Sequence, residues 1–177
     1  MDMKKILDET VAKLFENAGV PNEIWTDVMS GLGREVELYP FINREMFRSL
    51  LKNGIAPDDL YGIGYMKFKK PKKDIKGNGA KDKEDEWYVD FLLILKINGQ
   101  IRRIGIEIKG PSKDGAYVER QATADLDRLK VLISDGDIDE VWACGIKLIE
   151  NPKSQAYLAY LPPDSKKYGV QTFLLHT

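Results

Sequence analysis

The sequence predicts an α/β protein in which helices cover the faces of a mixed central sheet. Apolar residues recur at helical spacing in the first third of the chain, and two strand-like runs flank Asn98-Gly99. A helical run at 118–133 then precedes another strand-like run at 140–148. With 177 residues, of which 43% are apolar, the chain is long enough for a sizeable core. We therefore expect a single domain, residues 1–177, with a helical part at 1–54 and a sheet part at 60–177.

Three amphipathic helices are predicted before the sheet. The first ends at Gly19 and Pro21, and the third begins after Pro40, because proline is favoured in the first turn of a helix. Glu35 lies at one margin of the apolar stripe of the second helix, and Glu37 lies farther off the other margin; either could instead be a solvated surface charge. The apolar positions of the three helices are Leu7, Val11 and Leu14, then Trp25, Val28, Leu32 and Val36, then Ile42, Met46 and Leu50.

A lysine-rich segment follows the first predicted strand, residues 65–70. Residues 69–83 contain glycines and almost no apolar side chain, so they predict a mobile surface loop. The loop either keeps the protein soluble or meets a phosphate backbone, which lysines bind without reading sequence. The lysines that we assign to nucleic-acid binding under the second interpretation are Lys69, Lys70, Lys72 and Lys73, with Lys113 farther along the chain.

A β-hairpin is predicted where residues 87–97 and 101–109 flank Asn98-Gly99, the dipeptide that favours a type I′ turn. If Ile97 pairs with Gln100, the numbers of paired residues sum to 197, and Asp90 lies directly opposite Glu107. Glu107 and Lys109 then share one face of the sheet, because side chains alternate along a strand.

The chain after the hairpin predicts a crossover helix and further strands. Residues 110–115 form a turn, and Val118, Ala122, Leu126, Leu129 and Ile133 then recur at helical spacing until Asp135-Gly136. Gln121 and Asp125 should look toward the sheet; the alternatives are a surface polar position for Gln121 and a local cap or pairing with Arg128 for Asp125. Residues 140–148 should lie beside the Glu107 strand, reached through the helical crossover. Residues 156–161 and 170–175 are further strand candidates, separated by breaks at 162–163 and 167–169.

Two adjacent carboxylates with a nearby ammonium are unusual on an otherwise apolar hairpin, because like charges repel and burial removes their hydration. A divalent cation would reverse this cost. Mg²⁺ binds one or two carboxylates together with waters and substrate phosphate, and Mn²⁺ takes similar ligands. Asp90 and Glu107 are therefore candidate metal ligands, with Lys109 placing a water or stabilising the phosphate. The alternative is a cross-strand salt bridge of Lys109 with either acid.

At these residues the chain resembles the PD-(D/E)XK nuclease superfamily, whose members carry an Asp on one strand, an acid-x-Lys on the next, and a following helix on the sheet. Val89 stands where the family name has Pro. The resemblance covers about residues 60–150. It implies a restriction-endonuclease-like fold, a three-layer sandwich around a mixed sheet.

The resemblance also extends the set of candidate site residues. It implies catalytic roles for Asp90, Glu107 and Lys109, and the Ile108 carbonyl as a third metal ligand. Gln121 resembles the helix glutamine of the RecB-like branch, although Asp125 stands where that branch has an aromatic residue. Members often bring another acid from a helix before the sheet, which here would be Glu35 or Glu37.

Composition and missing residue types narrow the classes of function. A net charge of −1 excludes a strongly basic surface but allows a local basic groove. His176 is the only histidine and lies beside the C-terminus, which predicts a tail residue and disfavours histidine-based catalysis and two-histidine zinc sites. Cys144 is the only cysteine and lies in a strand-like run, which predicts a core thiol. No signal-peptide or membrane-spanning run occurs, so we expect a cytoplasmic protein that does not enter a membrane.

The leading hypothesis is a Mg²⁺- or Mn²⁺-dependent nuclease acting on nucleic acid, with DNA favoured over RNA. A second hypothesis is a catalytically silent module of the same fold that binds nucleic acid or a protein. A third is a small α/β domain with an ordinary salt bridge. A homodimer is an open option under each hypothesis.

Overall fold

The computed structural model describes residues 1–16, 20–21, 24, 27–28, 35–71, 84–150, 158–161 and 166–177; for residues 68–71, 84–87, 158–161 and 166–169 it describes the backbone alone. The helices with described bounds are α1 (Met3–Phe15), α2 (Tyr39–Lys52) and α3 (Gly115–Ser134). Short 3₁₀ turns occupy Glu35–Leu38 and Pro57–Asp59. The strands are β1 (Leu60–Pro71), β2 (Glu84–Ile97), β3 (Gln100–Ser112), β4 (Glu140–Glu150), β5 (Leu158–Leu161) and β6 (Lys166–His176).

These strands form one mixed sheet in the order β1-β2-β3-β4-β6-β5. β1, β2 and β3 are successively antiparallel. β4 runs parallel to β3, because α3 carries the chain back along the sheet, and β6 is antiparallel to both β4 and β5. The predicted α/β class with a mixed sheet is confirmed, and so is the predicted position of β4 beside the Glu107 strand.

Helices pack on both faces of the sheet. On one face α1 and α2 bury Ile6, Leu14 and Met46 in a cluster with Phe91 and Ile106 of the hairpin. On the other face α3 buries a second cluster, whose members include Ala122 and Leu129 from the helix and Val89, Leu92 and Val141 from the strands. Each fully buried large side chain contributes roughly 1.5–3 kcal/mol to folding. No helix among the described residues is long and apolar enough to cross a membrane.

The hairpin has the predicted register. Ile97 pairs with Gln100, and paired numbers sum to 197 as far as Phe91 and Ile106. Asn98 and Gly99 have φ values of 50° and 81°, as both central residues of a type I′ turn require. Both strands extend beyond the predicted bounds at the open end of the hairpin, since β2 begins at Glu84 and β3 continues to Ser112. The predicted turn at 110–115 is therefore wrong for residues 110–112.

The second predicted helix is wrong at its C-terminal end. Most of its predicted span lies outside the described residues, although the backbone of Val28 is helical. Val36, a predicted core residue, is 50% exposed. The 3₁₀ turn Glu35–Leu38 gives the chain a different rotation from an α-helix, and Leu38 takes the buried position instead.

Two predictions near the C-terminus are also corrected. Residues 167–169, predicted as a break, belong to β6, because β4 and β5 pair with this strand on its two sides. His176, predicted as a tail residue, is the last residue of β6 and stacks on Trp142 with ring centroids 4.3 Å apart. Cys144 is fully buried in β4, as predicted.

The crossover helix α3 agrees closely with its predicted pattern. It begins where the Asp114 carboxylate accepts a hydrogen bond from the Tyr117 amide at 2.9 Å, a typical N-cap. It ends before Gly136, whose φ of +76° stops the helix. The predicted Ile133 is only half-buried, and Leu132 is fully buried in its place.

Gly110, where β3 passes closely by β4, provides a test of this packing. It has a φ of +96°, and an added Cβ would lie 2.4 Å from the Ile146 carbonyl oxygen. Gly99 has a similar φ of +81°, but an added Cβ would meet nothing within 4 Å. We expect Gly99→Ala to cost about 1–2 kcal/mol for the left-handed backbone alone. Gly110→Ala should cost at least about 1 kcal/mol more, because the clash adds to that strain.

Urea denaturation of the two variants and the wild type measures this difference. Equal free energies of unfolding for the two variants would contradict the close approach of β3 to β4 at Gly110.

Candidate active site

The candidate site lies where β2 and β3 separate. Their ladder ends at Phe91 and Ile106, so Asp90 and Glu107 are not a paired position, and the prediction that they lie directly opposite one another is corrected. The buried Ile108 amide instead donates a hydrogen bond to Asp90 Oδ2 at 2.9 Å. The Asp90 side chain thus occupies the place that a strand backbone would otherwise take.

A β-bulge in β2 turns Asp90 out of the regular alternation. The β1–β2 register shifts between Gly64 and Met66, so that Asp90 and Phe91 together oppose Tyr65 alone. Val89 accordingly packs with α3, whereas Phe91 packs with α1 and α2. Bulges of this kind re-aim side chains, commonly beside active sites. The sequence pattern alone does not reveal this one.

Tyr39 of α2 holds the other oxygen of Asp90. Its hydroxyl donates a hydrogen bond to Asp90 Oδ1, and its ring packs edge-on against Phe91 with centroids 4.9 Å apart. Burial and then the charge of Asp90 raise the pKa of Tyr39, so the hydroxyl remains a donor. Sequence reasoning missed this residue, because a tyrosine 51 positions away on a helix has no pattern that links it to a strand aspartate.

Glu107 and Lys109 share the α3 face of β3, as predicted. Lys109 Nζ lies 3.6 Å from Glu107 Oε2 and 3.0 Å from Asp125 Oδ2. Arg128 of α3 lies 3.4 Å from Glu107 Oε1 and 3.4 Å from Asp125 Oδ1. Asp125 therefore does look toward the sheet. The contact of Arg128 with Glu107 was not foreseen, because the sequence suggested only its local pairing with Asp125.

The burial of this network changes its proton affinities. Glu107 is 2% exposed, and burial together with the charge of Asp90 raises its pKa to about 8, against the opposing effect of Lys109. Burial disfavours the charge on Lys109, but the ion pair with Asp125 and the charge of Glu107 outweigh it, so the pKa of Lys109 is raised. A buried acid that resists ionisation beside a firmly charged lysine is typical of functional sites.

Glu35, rather than Glu37, lies against this network. Its Oε1 accepts a hydrogen bond from the Gly110 amide at 2.7 Å. Burial raises the pKa of Glu35, although the Gly110 amide and Lys109 oppose that shift. Glu37 is exposed on the same 3₁₀ turn. Of the two acids proposed from the sequence, only Glu35 is in reach of the site.

A cleft of about 440 Å³ opens beside these residues. Its described lining includes Glu35, Lys109, Tyr117 and Gln121. Gln121 is exposed at the rim of the cleft instead of facing the sheet as predicted, because it lies beside the apolar stripe of α3. The cleft gives solvent and small molecules a route to Lys109.

The predicted nucleic-acid-binding lysines are only partly described. The backbone of Lys69 and Lys70 belongs to β1, paired with residues 86 and 85, so the predicted loop begins later than expected. Lys72 and Lys73 lie outside the described residues, as does the rest of the loop to residue 83. Lys113 is exposed and pairs with Glu150 at 2.8 Å.

The oxygen atoms at the site are of the kind that bind a hard cation. Among the described residues, no group of three or more His, Cys, Asp or Glu side chains converges well enough to hold a metal ion. Two carboxylates, a backbone carbonyl and waters are nevertheless a usual ligand set for Mg²⁺. Asp90, Glu107 and the Ile108 carbonyl can supply the protein part of that set.

Comparison with protein-family models, with curated proteins and with solved structures found no match for this chain. The interpretation of the site therefore depends on its own geometry and charge.

The raised pKa of Glu107 predicts a pH-dependent stability. In the unfolded chain a glutamate titrates near 4.5, whereas Glu107 in the fold titrates near 8. The folded state thus binds more protons between these values, and the stability from protonated Glu107 is present below pH 4.5 and lost as the pH rises through about 8. We expect Glu107→Gln, which cannot ionise, to become progressively more stable than the wild type over this window.

Urea denaturation at about pH 5, 6.5 and 8 in a chelating buffer measures the difference. Glu37→Gln controls for the loss of a nearby exposed carboxylate. A difference between wild type and Glu107→Gln that stays constant with pH would contradict a raised pKa.

Proposed function

We propose that the protein is a Mg²⁺- or Mn²⁺-dependent nuclease that hydrolyses phosphodiester bonds of DNA, with Asp90, Glu107 and Lys109 as its catalytic group. The observation that carries the proposal is the buried carboxylate pair beside a lysine where two strands separate. Burial and mutual repulsion make this pair costly in the metal-free protein. A divalent cation removes that cost, which gives the arrangement a physical reason.

The connectivity of the sheet supports the resemblance to the PD-(D/E)XK superfamily. Asp90 lies on β2, Glu107 and Lys109 lie on the antiparallel β3, and α3 then leads to the parallel β4. The superfamily expectation is an Asp, an acid-x-Lys and a following helix in that order. A restriction-endonuclease-like fold is accordingly part of the proposal.

The residues present fit a divalent cation. Asp90, Glu107 and the Ile108 carbonyl would hold it, and Glu35 is close enough to the cleft to assist through a water. When bound, Mg²⁺ or Mn²⁺ stabilises charge on the phosphate and lowers the pKa of a coordinated water. Glu107 would bind the cation as its carboxylate, so cleavage should be favoured at neutral to alkaline pH.

The chain's own groups would orient the reactants. Tyr39 and the Ile108 amide each donate to one oxygen of Asp90, which fixes its carboxylate but leaves a lone pair on each oxygen. Lys109 is held by Asp125 at 3.0 Å and lines the cleft, so its remaining protons can bind the attacking water or a phosphate oxygen.

Arg128 supports a second candidate, a catalytically silent module that binds nucleic acid or a protein. Its guanidinium already compensates Glu107, which is what a structural charge network would require. Its contacts with Glu107 Oε1, Asp125 Oδ1 and the Tyr88 carbonyl are each 3.4 Å long, however. Such long contacts hold a side chain weakly. A cation can therefore displace Arg128 from Glu107, which favours the nuclease.

Lys109→Ala tests the catalytic group. We expect cleavage of supercoiled DNA in Mn²⁺ to fall by at least about 100-fold, because the lysine orients the water or the phosphate. Metal binding should persist, since an ammonium has no lone pair for the ion. Titration calorimetry with Mn²⁺ checks binding, and a plasmid-nicking assay checks cleavage.

Lys130→Ala is the matched control, because Lys130 is an exposed α3 lysine paired with Asp127. It should cleave at the wild-type rate. Wild-type nicking by Lys109→Ala, in a preparation shown to be free of other nucleases, would exclude the mechanism.

Asp90→Asn separates a metal site from a structural ion pair. At about pH 8.5, where Glu107 is largely ionised, the metal-free variant should be as stable as the wild type or more stable, because repulsion with Glu107 is removed. The amide can still accept from Ile108 and donate to the Tyr39 oxygen. For a site of about 1 mM affinity, about 10 mM Mg²⁺ should stabilise the wild type by about 1.4 kcal/mol, or roughly 3–6 °C in melting temperature. Asp90→Asn should lose most of this gain.

Thermal melts with Mg²⁺ and with a chelator measure both quantities, and Asp127→Asn controls for the loss of an exposed acid. A less stable metal-free Asp90→Asn that responds to Mg²⁺ like the wild type would identify a salt bridge instead of a metal site.

A further inference from the structure

Two tyrosine rings form an exposed stacked pair on β1 and β2. The centroids of Tyr65 and Tyr88 are 5.5 Å apart, and their planes differ by 25°. Tyr65 is 56% exposed, and Tyr88 is half-buried beneath it. Lys67 pairs with Tyr88 in the β1–β2 register, and its Nζ lies 5.6 Å from the centroid of the Tyr88 ring. The surface therefore combines an open aromatic face with a positive charge.

This pair lies beside the candidate active site. Tyr65 is the single β1 residue opposite the bulge that carries Asp90, and Tyr88 precedes Asp90 by two positions. Burial, Tyr88 and the charge of Asp90 raise the pKa of Tyr65, with Glu107 adding to the effect, so the charges of both acids reach its hydroxyl. β1 is an edge strand of the sheet, and the Tyr65 side chain is largely exposed.

We propose that Tyr65 and Tyr88, with Lys67, form a platform on which an unpaired nucleobase stacks while its strand passes the acids of the site. The inference rests on the proposed nuclease function and gives it a substrate class, nucleic acid with a single-stranded segment. Every base presents a flat π-face to such a platform, and the lysine suits the phosphates of the same strand.

An unpaired strand fits this surface better than a duplex does. In a continuous duplex both faces of each base are covered by its neighbours, and only the two end pairs offer an open face. In a single strand the bases are free to leave their neighbours and stack on a protein ring. A peptide could also pack on tyrosines, but the adjacent lysine favours a polyanion, and the platform lies beside the proposed site of phosphodiester cleavage. We therefore commit to a nucleic-acid strand.

Binding of labelled oligonucleotides in a chelating buffer tests the platform without cleavage. The probes are an oligothymidylate of about 12 nucleotides, within the size range of single-strand sites, and an abasic strand of the same length. Wild type should bind the oligothymidylate more tightly than the abasic strand. Tyr65→Ala should weaken oligothymidylate binding by about 5- to 100-fold, because base–aromatic stacking has that strength. Its affinity for the abasic strand should not change.

Two further variants make the result specific. Tyr65→Phe keeps the ring and should retain wild-type affinity within about twofold, which assigns the loss in Tyr65→Ala to the ring and not to the hydroxyl. Tyr61→Ala removes another β1 tyrosine, also 56% exposed but not part of the stacked pair, and should change neither affinity. Circular dichroism of all variants checks the fold.

Several outcomes would overturn the platform: no wild-type preference for bases over the abasic strand, no binding of either strand, or equal losses for both probes in Tyr65→Ala. Base-dependent binding that needs the Tyr65 ring supports the platform even if no DNA is cleaved, in which case only the nuclease proposal fails. Conversely, Lys109-dependent cleavage of duplex DNA with unchanged strand binding by Tyr65→Ala would retain the nuclease and reject the platform.

Discussion

The hydrogen bond from the Ile108 amide to Asp90 is the interaction on which the candidate site depends. The β2–β3 ladder ends at Phe91 and Ile106, so this buried N–H has no backbone partner on β2. Leaving such a donor unsatisfied costs about 1–3 kcal/mol. The Asp90 carboxylate meets this need, and in doing so it is fixed between the strands. One side chain thus satisfies the buried Ile108 amide and supplies a fixed carboxylate to the candidate site.

Both helical layers contribute to the site that results. On the α2 side Tyr39 binds Asp90, and on the α3 side Asp125 and Arg128 contact Lys109 and Glu107. The bulge in β2 allows the two acids to contact different helical layers, because it turns Asp90 toward α2 whereas Glu107 remains on the α3 face. The charge of Asp90 nevertheless reaches Glu107, where it contributes to the raised pKa.

The sequence predicted what depends on local patterns and missed what depends on tertiary contacts. Asn98-Gly99 specified the turn and hence the register, and the stripe of α3 specified the crossover helix that brings β4 beside β3. The bulge at Asp90 and the contact with Tyr39 have no local pattern, because they arise from the separation of two strands and from a helix distant in sequence. For the same reason Val36 was assigned to the core, and residues 167–169, which pair on both sides within β6, were assigned to a break.

Charge balance gives a further reason to expect a cation at the site. Among the described residues the network contains four acids, Glu35, Asp90, Glu107 and Asp125, and two cations, Lys109 and Arg128, so full ionisation leaves 4 − 2 = 2 negative charges uncompensated. Burial and the charge of Asp90 raise the pKa of Glu107, so its protonation relieves part of this excess in the metal-free protein. A divalent cation would neutralise the network completely and allow Glu107 to ionise. The same charge that destabilises the metal-free site would then favour metal binding.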